Sequence, residues 1–574
     1  MQQPISPAPT LSNRVGTGPV MRLFQPAAPP YDPIVWAELP IAERARLACQ
    51  TWALQGYGTP LPVYGFYAFK LAFYIGGWIF FCGFTPGLGG VSQLGSYWLE
   101  PIAFQKAILW SMLFEGLGLG CGSGPLTGRQ MPPIGGILYF ARPNTTRLPL
   151  FPRLPLLRGI RRNLFDVALY LALVFALLAA LTSAAIEPRW LWAIAILLPV
   201  LSLRDRTQFL VFRGEHYWTT VLCFLFAGDW IAGAKSIQLA LWFWAGVSKL
   251  NHHFPAVVCV MTSNSPFTRF DWLRKRFYRA YPDDLRPSRL AEWMAHAGTA
   301  LELGVPIVML LAPEYAPLTL GIALMLMLHV FITSNVPMGV PIEWNFMVVY
   351  GAFALFWAHP DVSPFAVGNL PLGIALGLLL VAIPLAGNLF PEAISFLLAM
   401  RYYAGNWACG VWLFRRDSLQ KLKRITMSSP LPSEHIERVF GRSTMFNLLA
   451  RVMAFRMMHL HGKALPDLIA RACPNPEEYD YLEGEILGGL VLGWNFGDGH
   501  LHDEDLLHAV QAQCGFEPGE LRCVFIESQP LGRGTLAYRI ADAATGPIES
   551  GRLEVQELRN RQPWDVRPRS VPAE

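Results

Sequence analysis

Apolar runs of about bilayer length, separated by short loops rich in arginine, constrain this chain more than any other feature of its sequence. A helix needs about 20 apolar residues to cross the hydrocarbon core. The strongest runs cover residues 66–84, 102–119 and 164–185. Further runs cover 190–203, 217–226, 231–250, 293–311, 318–332, 342–357 and 370–385, the shorter ones borrowing flanking residues to complete a crossing. Of the 574 residues 53% are hydrophobic and 15% charged, against about 25% charged in an ordinary soluble domain. The expected fold is an all-α polytopic membrane bundle of about ten spans with a small C-terminal soluble α+β domain.

The loops set an orientation. Residues 142–163 hold Arg142, Arg147, Arg153, Arg158, Arg161 and Arg162 and no acid. Arg204, Arg206 and Arg213 follow two spans later. After two more come Arg269, Arg274, Lys275, Arg276, Arg279, Arg286 and Arg289. Three concordant loops read as positive-inside. They predict a multi-pass protein of the cell membrane with both termini cytoplasmic. Lipid headgroups account for this charge, and no nucleic-acid reading motif accompanies it. Membrane lipids are the expected partners.

Four regions follow. Residues 1–60 read as a disordered Pro-rich N-terminus, with no cleavable signal peptide, followed by an amphipathic surface helix at 41–55. Residues 61–390 form the transmembrane bundle. Residues 391–416 are expected to be an interfacial or re-entrant helix, because their apolar stretch is short and their aromatics suit an interface. Residues 417–574 turn polar and read as the soluble α+β tail, with amphipathic helices in 434–470. Strands are expected at 521–527, 535–540 and 552–558, with a turn at Thr545, Gly546 and Pro547. The nine Cys form no CxxC pair and read as scattered structural thiols. P-loop, GxGxxG, HExxH and GxSxG motifs are absent.

Ionisable residues inside spans are costly and mark candidate sites. Lys249 closes the sixth apolar run. It reads either as a lysine snorkelling to the interface or as a partly desolvated amine able to act as a base. Glu215 and His216 open the fifth run. The eighth carries His329, the seventh Glu302, the second Glu115, and the ninth begins near Glu343. Pairing of such groups across helices, which would stabilise a bundle without catalysis, is the competing reading.

The run Ala245-Gly246-Val247-Ser248-Lys249-Leu250-Asn251 resembles the lysine motif of vitamin K-dependent gamma-carboxylase. It is similar as well to the wider horizontally transferred transmembrane domain family that contains that enzyme. Glu215-His216-Tyr217-Trp218 stands at the separation of the family's Asn-His-Ser-Tyr-like segment. His329 with Asn335, Gly339 and Pro341 resembles a further stretch. The resemblance covers roughly residues 204–356. It implies a helical pocket open to lipophilic substrates, in which Lys249 deprotonates a reduced quinone. Oxygen then converts the quinone to a strong base. His216 would orient or polarise the quinone or a water. Glu215, His329, Glu302 and Asn251 are the candidate substrate contacts. Glu215 departs from the family's amide, the tail looks unrelated, and Lys249 falls on the opposite side of the membrane, so peptidyl-glutamate carboxylation is not expected. The whole chain also looks like an uncharacterised bacterial family of multi-span proteins.

In the tail, Asp498, His500 and His502 alternate between Gly497 and Gly499 and could bind a divalent metal. Alternatively this stretch is a turn leading into a helix capped by Asp503, with Glu504 and Asp505 favouring its dipole. His459 and His461 add ligands only if the fold brings them close. Two functions compete. One is an enzyme acting on a quinone or lipid with Lys249 as base. The other is a transport or scaffold protein whose tail recruits a protein partner. Convergence of Lys249, His216 and His329 on one enclosed cavity favours the first.

Overall fold

The computed structural model describes residues 23–120, 135–311, 315–335, 342–402, 405–495 and 499–566. Its N-terminal two-thirds runs through α1 (Ile41–Gln55), α2 (Leu61–Cys82), α3 (Pro101–Gly116), α4 (Leu164–Thr182), α5 (Pro188–Arg204), α6 (Thr219–Phe224), α7 (Trp230–Ser248) and α8 (Phe254–Asn264). It continues through α9 (Arg289–Leu311), α10 (Tyr315–Thr333), α11 (Ile342–Gly351) and α12 (Leu370–Leu389). Among the described residues α2, α4, α9 and α12 are long and apolar enough to cross a membrane. About ten spans were expected. The remaining apolar runs make helices that are shorter or less apolar, such as α5 and α7, or break into wide turns, as where Ala352–Trp357 follows α11.

The outer surface of these helices is apolar. On α12 Leu370, Ile374, Leu378, Val381 and Leu385 are exposed at helical spacing, and on α2 so are Phe66, Phe69, Phe73 and Phe80. Stripes of this extent belong against lipid rather than water. α4 starts on a reciprocal cap. Asn163 Oδ1 accepts from the Asp166 amide (3.1 Å), and Asp166 Oδ2 accepts from the Asn163 amide (2.9 Å). Such a cap stabilises a helix by about 1 kcal/mol.

A second core gathers three separate stretches of chain. α1 packs on α13 (Arg442–Met458), where Arg451 donates to Gly56 O (2.6 Å) and to the Gln55 side chain (2.7 Å). The Trp52 indole of α1 also donates to Val260 O of α8 (3.3 Å). α1 thus buries one face, with Ala48, Cys49 and Trp52, against protein, while Glu43 and Arg46 on its other face stay exposed. The hairpin β1 (Tyr278–Ala280) and β2 (Asp284–Pro287) belongs to the same unit.

The five-stranded antiparallel sheet has the order β4-β3-β5-β6-β7, with β3 (Cys409–Arg415), β4 (Tyr479–Glu483), β5 (Leu521–Ile526), β6 (Thr535–Asp542) and β7 (Gly546–Glu554). The strands expected near 521–527 and 535–540 are β5 and β6. The third comes earlier than expected: β7 ends at Glu554, where a short helix, Val555–Asn560, begins. Residues 391–402 are turns, and β3 lies inside the sheet, so the described residues of 391–416 do not form the expected interfacial or re-entrant helix. Its aromatic Trp412 is fully buried between β4 and β5. α14 (Leu465–Ala472), α15 (Gly484–Leu492) and α16 (Glu504–Cys514) complete the unit.

Candidate functional site

Between α8, α9 and α10 lies a cavity of about 320 Å³. Its wall is apolar, with Phe254, Met294, Leu301 and Phe331 among the lining residues, apart from Lys249, Glu302 and Asn335. The local sequence explains why the charges sit here. A Cβ on Gly246 would come within 2.9 Å of Leu303 and 3.1 Å of the Glu302 backbone, so glycine lets α7 approach α9 closely. That approach brings Lys249, just past the end of α7, onto Glu302. The amine donates to Glu302 Oε2 and stands 5.1 Å from the centre of the Phe254 ring. Both side chains are buried. The Asn335 amide donates to Phe331 O (2.8 Å), and its buried Oδ1 has no partner among the described residues. A buried ion pair gains little net stability over apolar packing. Its position beside open space is what makes it a candidate site.

Asn251 faces away from this cavity. Its amide donates to Gln529 O (3.3 Å) and its Oδ1 accepts from the Gly532 amide (3.2 Å), tying the end of α7 to the β5–β6 loop. His329 sits beside the cavity without lining it. The Trp242 indole donates to its Nε2 (2.9 Å), and Nδ1 lies 2.7 Å from Asn345 Oδ1. The ring is held in one tautomer with both nitrogens engaged.

Glu215 and His216 belong to a different cluster, in the wide turn Gly214–Trp218 ahead of α6. Arg213 precedes it in the left-handed region (φ 51°), a conformation that costs a non-glycine residue about 1–2 kcal/mol. It lies 3.6 Å from Glu115 and 3.8 Å from Glu215, and the Tyr402 hydroxyl donates to Glu215 (3.0 Å). Lys70 faces Glu343 at 3.0 Å nearby. The His216 ring packs on Tyr217 (4.6 Å) and edge-on to Trp344 (6.0 Å). Of the expected site residues the structure thus brings together Lys249 and Glu302 in one place and Glu215 and His216 in another.

Asp498 lies outside the described residues. Among the described ones no group of three or more His, Cys, Asp or Glu is placed to hold a metal ion. His500 Nε2 is 3.3 Å from Glu527. Burial alone would raise the Glu527 carboxyl. The bond and charge of His500, the Ser528 amide and the Arg539 charge overcome it and hold the group at about 2. The His502 ring packs on Gly484, while His461 stands 5.9 Å from His253, ring to ring. Asp503 caps α16 by accepting from the Asp505 amide (3.0 Å).

Some arginines that read as headgroup contacts have buried roles. Arg147 donates to the carbonyls of Arg158 (2.9 Å) and Arg204 (2.6 Å), and Arg162 pairs with Asp205 at 2.6 Å. Arg213, Lys70 and Tyr402 were not expected at a site. The signal available for Arg213 was its place two residues before Glu215.

A family model described as a transmembrane protein of unknown function (DUF3556) matches residues 21–574. No curated protein and no solved structure matches the chain. These comparisons do not connect it to the gamma-carboxylases.

Proposed function

We propose, from the premise that this chain belongs to that transmembrane family, that it takes a lipid-soluble molecule, a quinone or a lipid, into the cavity beside Lys249 and Glu302. The observation that carries this reading is an apolar cavity of about 320 Å³ with one ion pair in its wall. Ligand pockets are of this size and kind: mostly apolar, with a few polar groups that fix orientation. Ala297, Met327 and Phe331 are exposed on the outer surface of the bundle, so the cavity opens sideways toward lipid. Lys249 and Glu302 contact the polar end of the ligand. Lys249 is the base in any proton transfer, acting as the neutral amine once its own proton has passed to the Glu302 carboxylate beside it. The basic loops and the soluble unit share one face, since Arg206 bonds Asp505 (2.8 Å) and Tyr139 bonds Val491 O (2.5 Å). We place that face in the cytoplasm.

A second reading, a scaffold without catalysis, draws on the engaged ring of His329 and the separate location of His216. Lipid mass spectrometry of the purified full-length protein tests the first. A Cβ on Gly298 would sit 3.6 Å from Phe254, so larger side chains there grow into the cavity. The wild-type protein should carry a stoichiometric quinone, isoprenoid or lipid, and Gly298→Phe should lose it. Equal ligand content in both would remove the cavity from the function.

A further inference from the structure

The same cavity carries a more specific assignment, which rests on the reading above. On α9 Arg289, Trp293 and Ala297 recur every four residues and share one stripe of the helix. Arg289 and Trp293 are exposed, Trp293 at 76%, and Ala297 lines the cavity. Eight residues of helix span about 12 Å. The mouth therefore sits about one headgroup-and-glycerol depth below a charged ring. The neighbouring segment builds the rest of that ring. Phe267, Phe270 and Trp272 are exposed at 74%, 54% and 59%. They alternate with exposed Arg269, Lys275 and Arg276, and the Arg276 guanidinium lies over the Trp272 ring at 5.4 Å. The acids here do not cancel the charge. Asp284 is taken by Arg286 and Glu292 faces Arg279 at 3.9 Å, leaving Asp271 and Asp283 against Arg269, Lys275, Arg276 and Arg289.

Exposed aromatics mixed with arginine and lysine mark the interface of a leaflet, and basic side chains there select anionic lipid. α10 returns antiparallel to α9 and brings Phe331 and Asn335 to the same cavity. We propose that the ligand is an anionic lipid of the leaflet facing the soluble unit. Its headgroup rests on Arg269, Arg276 and Arg289, and one acyl chain enters the cavity between α9 and α10.

The test uses delipidated full-length protein in detergent, offered equal amounts of phosphatidylglycerol and phosphatidylcholine with identical chains. Bound lipid is read by native mass spectrometry. Each basic side chain near a charged headgroup is worth about fivefold, so the wild type should retain at least about tenfold more phosphatidylglycerol. The Arg269→Gln/Arg276→Gln/Arg289→Gln variant should bind both lipids about equally, and the matching Arg→Lys variant should keep the preference. A preference that survives the Gln variant, or that the Lys variant also loses, overturns the headgroup assignment and leaves the cavity reading standing. Full lipid retention in Gly298→Phe would instead overturn the cavity reading itself.

Discussion

Lys249 with Glu302 and Arg213 with Glu115 are both buried cation–carboxylate contacts in the bundle, yet they sit in different surroundings. The first borders a cavity and a mouth onto lipid. The second has close neighbours among the described residues. A Cβ on Gly120 would fall 1.6 Å from Glu115 Oε2, one on Gly116 would fall 2.1 Å from the Phe212 ring, and the Trp344 and Tyr402 rings meet at a tilt, 4.8 Å apart. The cost of burying charge is common to both and does not identify a site. The cavity beside the first is the observation that supports the proposal made for it. The Arg213 cluster joins α2, α3, the turn before α6, α11 and Tyr402, whereas the Lys249 pair borders the cavity on which the proposed function rests.

The largest expected effect tests the packed cluster. Arg213→Leu leaves the Glu115 and Glu215 carboxylates without their cation, which should cost about 3–5 kcal/mol. Thermal unfolding in detergent reads this, and an unchanged midpoint would break the contrast. Next is a group outside the bilayer. Glu527 is held at about 2, below the roughly 4.3 of a free glutamate, so its contribution is full above about pH 5 and lost as pH falls through about 2. Glu527→Gln should therefore destabilise by about 3 kcal/mol at pH 7, with the difference from wild type closing toward pH 2. A gap independent of pH would exclude ionic stabilisation there. His329→Phe removes an acceptor from Trp242 and a partner from Asn345, for about 1–3 kcal/mol, with ligand content unaltered. Lost ligand in that variant would draw His329 into the site. The smallest shift belongs to Lys249→Met/Glu302→Leu. Replacing a whole buried pair with apolar side chains is often neutral or stabilising, so the midpoint should move by less than about 1 kcal/mol, while either single variant is worse.

Much of the architecture was legible along the chain because helices and strands are local. The run at 164–185 became α4, the alternation near 521 and 535 became β5 and β6, and Asp503 was readable as a cap. Lys249 and Glu302 were each visible as charges in apolar runs. Their pairing was not, because it depends on Gly246 admitting α9, a contact 53 residues away. The partners of α1 were hidden for the same reason: Trp52 meets Val260, and Arg44 donates to Tyr481 at 3.2 Å, both far along the chain. Periodicity shows that a face is polar and does not show whether water or protein covers it. The arginine count of the loops merged two populations, since Arg147, Arg162 and Arg213 bind carbonyls and carboxylates indoors while Arg269, Arg276 and Arg289 stay outside. Both fit a rule that counts only charge.

Where an acyl chain lies can be read directly. Full-length protein reconstituted with phosphatidylglycerol bearing a diazirine near the middle of one chain is irradiated, and the adducts are mapped by peptide mass spectrometry. The account predicts adducts on Met294, Met327 and Phe331, lost in Gly298→Phe. Adducts confined to the outward faces of α2, α4 and α12, at Phe69, Phe175 and Leu378, would contradict it.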